Sequence, residues 1–318
     1  MVTNGPAVAE RTHGSARVES GPGQPTGEAL RVLDLSKSFR SGFLRRRLRG
    51  IEGVSFTVPR GCLFALLGHN GAGKTTTINC ILDLVHPDRG EVSILGGAHG
   101  DRSVRAKVGY LPERPYFFEH LSGRELLHFY AKLMGVEARR REDHVQRLVD
   151  KLNIGSYVDR RLKKYSKGML QRIGIAQALL GDPELLILDE PMSGLDPMGR
   201  REIRELLLEL KAQGRTIILS SHIVPDVEMV ADQVAILREG QLVMTSDLAD
   251  LQSGARFEVN FDEGRTATAE GADDLARLLS ESKAAGRQVQ RIATATTSLE
   301  DLYLEAHGRL GETQGEVQ

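Results

Sequence analysis

The chain reads as an α/β protein with a mixed β core, a helical insert and a small α+β extension at the C-terminal end. Three observations predict this. Short apolar runs such as "CLFALLG", "ELLILDE" and "RTIILSS" show little polar alternation, the pattern of strands buried on both faces. Longer amphipathic stretches of helical period alternate with them, as in α/β domains. Past about residue 248 the pattern changes to shorter pieces, such as "RFEVNF" and "GADDLARLLSESKAAG".

Residues 1–28 are rich in Gly, Pro, Ser and Thr. They read as a disordered tail, because too little apolar surface is available to offset the entropy of ordering them. Residues 29–247 form the main domain. "ALRVLDLSKSF", "IEGVSFTVP" and "CLFALLG" are predicted strands; a glycine-rich turn then leads into the helix "GKTTTINCILDLVHP", and "GEVSILGG" returns as a strand. From about 112 to 180 the period is helical, through "SGRELLHFYAKLMGV", "REDHVQRLVDKLN" and "SKGMLQRIGIAQALL". "ELLILDE", the helix "PMGRREIRELLLELKAQG", "RTIILSS", "QVAILREG" and "QLVMTSD" complete the domain at Asp247. Residues 248–318 are the accessory unit, where Ser298 and Asp301 have the spacing of a capping box.

Bulk properties narrow the classes. The 318 residues suffice for a full core, and a formal net charge of -1 gives no global field for nucleic acid. No run of about 18 apolar residues predicts a membrane span, and the N-terminus lacks the apolar region of a secretory signal. Cys62 and Cys80 lie in apolar surroundings and read as buried thiols of a reducing compartment, with a disulfide as the alternative. A soluble cytoplasmic protein is expected.

"GHNGAGKTT" fits G-x-x-x-x-G-K-[ST], between a predicted strand and a predicted helix. Its glycines, Gly68, Gly71 and Gly73, let the backbone of His69, Asn70 and Ala72 curl so that consecutive N–H groups face phosphate oxygens. Lys74 is placed to neutralise the β- and γ-phosphates, and the hydroxyl of Thr75, next to Thr76, to ligate Mg²⁺. The alternative is an ordinary glycine turn beside a surface lysine. Asp189 and Glu190 end the apolar run "LLILDE". Asp189 is a candidate for holding Mg²⁺ through water and Glu190 for the base that polarises an attacking water; two solvated loop carboxylates are the alternative.

In order and spacing the chain resembles the ATP-binding-cassette (ABC) ATPases from about Leu30 to Asp247, a P-loop NTPase type. "YSKGM" stands where that family has its LSGGQ-type signature, "SGLDP" (Ser193–Pro197) matches its D-loop, and "SSH" puts His222 at its switch histidine. Phe39 in "LSKSFR" stands where an aromatic stacks on adenine. The resemblance implies a head-to-tail dimer holding two ATP molecules. Each would lie between one subunit's P-loop and the partner's Ser166 and Gly168 N–H, with His222 at the γ-phosphate and Asp196 along the seam. It also implies ATP and Mg²⁺ as cofactors. The second nucleotide-binding subunit would be a copy or a paralogue, and an integral membrane permease the further partner. The chain would then lie on the cytoplasmic face of the membrane.

Two positions depart from the family pattern. Lys167 replaces a signature glycine, and Glu113 in "VGYLPERPYFF" stands where a glutamine is usual. A carboxylate can ligate Mg²⁺, which makes Glu113 a candidate ligand beside Thr75 and Asp189. Both variants, and the ending "SLEDLYLEAHG", resemble exporters whose permeases are separate ABC-2-type chains. The alternative function is a soluble ABC ATPase acting on ribosomes or nucleic acid; a kinase explains the P-loop but not the later motifs. Six aromatics fall between Tyr110 and Tyr130, and "PYFFEH" cannot bury three adjacent rings on one face, so an exposed partner surface is expected there. The segment Arg40–Gly50 reads as a basic loop between strands, with contact to anionic lipid through Arg45, Arg46 and Arg47 as the sharper reading.

Overall fold

The computed structural model describes residues 27–41, 46–253, 256–262, 265–285, 287–295 and 298–308. Residues 1–26 of the expected tail and Arg45 lie outside them, and Arg46 and Arg47 are described by backbone alone.

Strands β1 (Glu28–Ser41) and β2 (Arg46–Pro59) form an antiparallel hairpin. β3 (Leu63–Leu67) runs into α1 (Lys74–Ile81), followed by β4 (Arg89–Ile94), β5 (Gly97–Ala98), α2 (Arg102–Arg105) and β6 (Val108–Leu111). The helical insert contains α3 (Gly123–Leu133), α4 (Ala138–Lys151) and α5 (Lys167–Leu179). Next come β7 (Leu185–Leu188), α6 (Pro197–Ala212), β8 (Thr216–Ser221), α7 (Val224–Glu228), β9 (Gln233–Arg238) and β10 (Gln241–Asp247). The C-terminal unit consists of α8 (Leu248–Ser253), β11 (Arg256–Phe261), β12 (Thr266–Glu270), α9 (Gly271–Ala284), β13 (Val289–Ala295) and α10 (Leu299–Gly308).

The central sheet has the order β10-β9-β3-β8-β7-β6, parallel except for the β9–β10 hairpin. Strands β3, β7 and β8 are apolar on both faces because both are covered. Leu63, Ala65 and Leu67 of β3 join the core shared with the helical insert and α6, while Phe64 and Leu66 face the hairpin and α1. Phe64 stacks on Phe56 of β2 with ring centroids 5.1 Å apart, which ties this sheet to the antiparallel sheet β2-β1-β4-β5. β3, β8 and β7 are adjacent and parallel, so the loops after them emerge at one edge, where α/β sheets bind ligands.

The C-terminal unit is a three-stranded sheet, β12-β11-β13, with α9 against it. Its last helix returns to the main core: Leu299 and Ala306 are buried there, and Arg238 donates to the Ala306 carbonyl at 3.0 Å. Ser298 and Asp301 form the expected reciprocal cap, with N–H contacts of 3.0 and 3.1 Å. Cys62 and Cys80 are free, buried thiols.

The segment Arg40–Gly50 corrects one expectation. Rather than a loop throughout, the ladder continues, with Phe39 opposite Leu48, Arg40 opposite Arg47 and Ser41 opposite Arg46. Backbone pairing satisfies N–H and C=O groups whatever charge the side chains carry, so a run of arginines does not end a hairpin.

Candidate functional site

The loop after β3 is built by close approach. A β-carbon on Gly68 would lie 2.5 Å from the Leu237 carbonyl oxygen, and one on Gly73, at φ +106°, would lie 2.8 Å from Ile51. Only glycine fits both the space and the dihedral. The loop is held by Gly68 N–H on the Ser221 carbonyl (3.1 Å) and Gly240 N–H on that of Ala72 (3.0 Å). α1 then begins at Lys74 with no side chain capping its first N–H groups, leaving those donors for an anion. Lys74 is only 5% exposed, and its ammonium donates to the carbonyls of Gly68 at 2.7 Å and His69 at 3.2 Å.

The acidic pair at the end of β7 faces this loop. Asp189 is 1% exposed and accepts a hydrogen bond from Ser220 Oγ at 2.5 Å, while Ser220 Oγ accepts from Glu190 N–H at 2.8 Å. Burial pushes the Asp189 carboxyl above the usual carboxylate range. The charges of Glu190 and Glu113 push the same way, against hydrogen bonds from Ser220 and Thr75. Burial, with the charge of Asp189, also pushes the Tyr110 phenol up to about 12. Glu190 takes a left-handed backbone, φ +52°, a strained conformation that tends to mark sites where a side chain must be aimed. Its Oε1 lies 3.0 Å from Lys74 Nζ and its Oε2 lies 2.8 Å from His222 Nδ1. The Lys74 contact is a charge contact: among described residues no aligned donor reaches Oε1.

A cleft of about 550 Å³ collects Phe39, Gly50, Asn70, Gly71, Gly73, Lys74, Thr75, Thr76, Glu113 and Glu190. Phe39 stands at its rim, 39% exposed. The Asp189 carboxylate also has room for a cation partner. Its Oδ2 is buried with no hydrogen-bond donor among described residues, and Thr75 is close enough to bond the same side chain. These hard oxygens suit Mg²⁺. No cluster of three His, Cys, Asp or Glu groups forms a cage among the described residues, but Mg²⁺ bound with phosphates needs only one or two carboxylates.

Ser166, Gly168 and Asp196 stand apart from that group, on a second cleft of about 800 Å³ that shares none of those lining residues. Ser166 caps α5 by accepting from Met169 N–H at 3.3 Å. Asp196 caps α6 by accepting from Gly199 N–H at 2.7 Å. Lys167 lies across Gly194: a β-carbon there would meet its Nζ at 2.3 Å and its Cδ and Cε at 3.2 Å. Sequence reasoning overlooked Ser220, whose hydroxyl links the two acidic residues. Its one signal was a serine ending an apolar strand beside "SH".

The sequence model of a family described as ABC transporter matches residues 51–193. An uncharacterized ABC transporter ATP-binding protein of Nostoc sp., all4389, is 44% identical over 229 residues, which cover 71% of this chain and 68% of the relative. The bacitracin transport ATP-binding protein BcrA of Enterococcus faecalis is 37% identical over 215 residues, or 67% and 69% of the two chains. A solved ATP-binding subunit of an ABC transporter superposes with TM-score 0.60 at 35% identity, covering 70% of this chain and 92% of its own. With glycine loop, acidic strand end and histidine at one sheet edge, this similarity leaves ribosomal or nucleic-acid work without support: the chain belongs to the ATP-binding subunits of ABC transporters and is an ATPase.

Proposed function

We propose that the chain powers a separately encoded membrane permease in an exporter, by closing head-to-tail on a second nucleotide-binding subunit around ATP. The observation that carries this reading is the meeting of Lys74, Glu190 and His222 at the mouth of the glycine loop, 3.0 and 2.8 Å apart in turn. Lys74 is suited to exchange its contacts with loop carbonyls and Glu190 for the terminal phosphates. Glu190, then paired with His222, accepts a proton from the water that attacks the terminal phosphorus, as the bond to ADP breaks. His222, oriented by Glu190, faces the same phosphate. Thr75 and Asp189, with Glu113 beside them, would hold Mg²⁺, which neutralises phosphate charge when bound. Phe39 offers a face to adenine.

Ser166 and Gly168, on the other cleft, serve the partner's nucleotide. One chain presents each half-site on a separate surface, and this separation supports a sandwich of two subunits. Among the described residues no helix is long and apolar enough to cross a membrane. The exporter direction follows the resemblance in the signature and C-terminal extension, and the relative BcrA is named for bacitracin transport.

Replacing Glu190 by Gln removes the proton acceptor and keeps the shape. Hydrolysis should fall by about a hundredfold or more, and size-exclusion chromatography in ATP should show an accumulated dimer. A Glu190→Gln variant that stays monomeric in saturating ATP would falsify the sandwich.

A further inference from the structure

Asp226 in α7 is a buried carboxylate, 4% exposed. Two guanidinium groups of α6 face it. Arg204 donates to its Oδ1, and Arg200 Nη1 lies 3.7 Å from its Oδ2. That Oδ2 is shielded from solvent and receives no hydrogen bond from any described residue. A buried oxygen without a donor is costly, and one beside a guanidinium that stops short calls for a reason.

The other edge of Arg200 supplies the reason. Its Nε donates to the Leu195 carbonyl at 3.2 Å, inside the Ser193–Pro197 loop that leads from the acidic pair to α6. α7 begins at Val224, two residues after His222, whose ring touches Glu190. One planar group thus has one edge on the loop and the other toward the helix that follows the histidine. A guanidinium is rigid and presents donors on both edges. A shift of the loop by about an ångström could close the gap to Oδ2 into a charge-assisted hydrogen bond of about 2.8 Å.

We propose that Arg200 is a positioning residue that couples the Ser193–Pro197 loop to His222 through Asp226, and so sets the alignment of Glu190. The proposal rests on the roles given above to His222 and Glu190. Arg200 is partly exposed, and without it Asp226 keeps Arg204, so the fold survives its removal.

The test compares Arg200→Met, Arg200→Lys and, as control, Arg201→Met, whose arginine is exposed and paired with Glu205. Arg200→Met should lower kcat about tenfold, the scale of couplings carried by such networks, with KM for ATP and the melting midpoint unchanged. In histidine-labelled protein without nucleotide, the His222 ring NMR signal should move in Arg200→Met and stay in Arg201→Met. Arg200→Lys should recover little, since an ammonium is a point charge and lacks the two-edged fork. An unchanged kcat, a still His222 signal, or a loss of kcat that follows the melting midpoint overturns the coupling. Full activity in His222→Ala would instead overturn the reading of the site on which it rests.

Discussion

Lys167 carries charge into a motif position where the family resemblance leads one to expect glycine, and its surroundings decide between two uses. An ammonium reaching the partner's phosphate and an aliphatic stem packing on the neighbouring loop both fit an exposed lysine at a helix start. The side chain lies along Gly194, whose φ of +67° and missing β-carbon make room for it. Packing is therefore the stronger reading. Lys167→Met, which keeps the stem and drops the charge, should retain wild-type turnover, whereas Lys167→Gly should lower it and cost the helix up to about 1 kcal/mol. Steady-state kinetics and thermal melting separate these, and an equal fall in both variants would return the charge to the phosphate. At this scale the sequence was legible wherever spacing encodes chemistry: Gly68, Lys74, Asp189, Glu190 and His222 all converge. Ser220 and the Arg200–Asp226 pair were not, because their partners lie about 20 to 30 positions away and no local pattern reports a contact made by folding.

Elements with strong periodicity were read correctly for the same reason that they are stable. β3, β7 and β8 are apolar because both faces are covered, and α3 carries a capping box in which Ser122 accepts from Glu125 N–H at 3.2 Å. Elements without a pattern escaped: β12 is "TATAE", two residues make up β5, and α7 is a five-residue helix. The aromatic cluster before α3 was legible by arithmetic, since adjacent rings cannot share one face. Phe117 packs on the core while Tyr116 is 92% and Phe118 49% exposed, with Phe118 edge-on to Phe129 at 5.7 Å. An exposed aromatic patch on the helical insert suits a protein partner, and the permease is the partner that the transporter assignment requires. Tyr116→Ser with Phe118→Ser should leave the isolated subunit's ATPase rate and its stability within about 0.5 kcal/mol of wild type. The same pair should reduce recovery of the membrane subunit when the two are co-expressed and purified together. Undiminished co-purification would move the docking surface elsewhere.

Across the whole molecule, the site balances charges that folding alone leaves costly. Asp189 and Glu190 are buried side by side with Glu113 near, and the cations on hand are Lys74 and, when protonated, His222. The raised Asp189 pKa fixes the sign of its effect on stability. A carboxyl whose folded pKa lies above its unfolded value contributes stability that is fully present below the unfolded pKa and is lost as pH rises through the folded one. At neutral pH, above the unfolded carboxyl's pKa, and without a divalent cation, the Asp189 carboxyl therefore weighs against the fold. Asn keeps the oxygen that accepts from Ser220 and removes the charge. Asp189→Asn should accordingly melt above wild type in metal-free buffer near about pH 7, and that advantage should fade on acidification toward about pH 4, where the unfolded carboxyl also takes up its proton. Mg²⁺ with nucleotide should reverse the order at neutral pH, because a cation against Oδ2 compensates the wild-type charge and finds none in the variant. A melting series over pH, with and without Mg²⁺ and nucleotide, measures all three. If Asp189→Asn melts below wild type in metal-free neutral buffer, the carboxylate is stabilised by the protein itself, and the case for a cation at this oxygen fails.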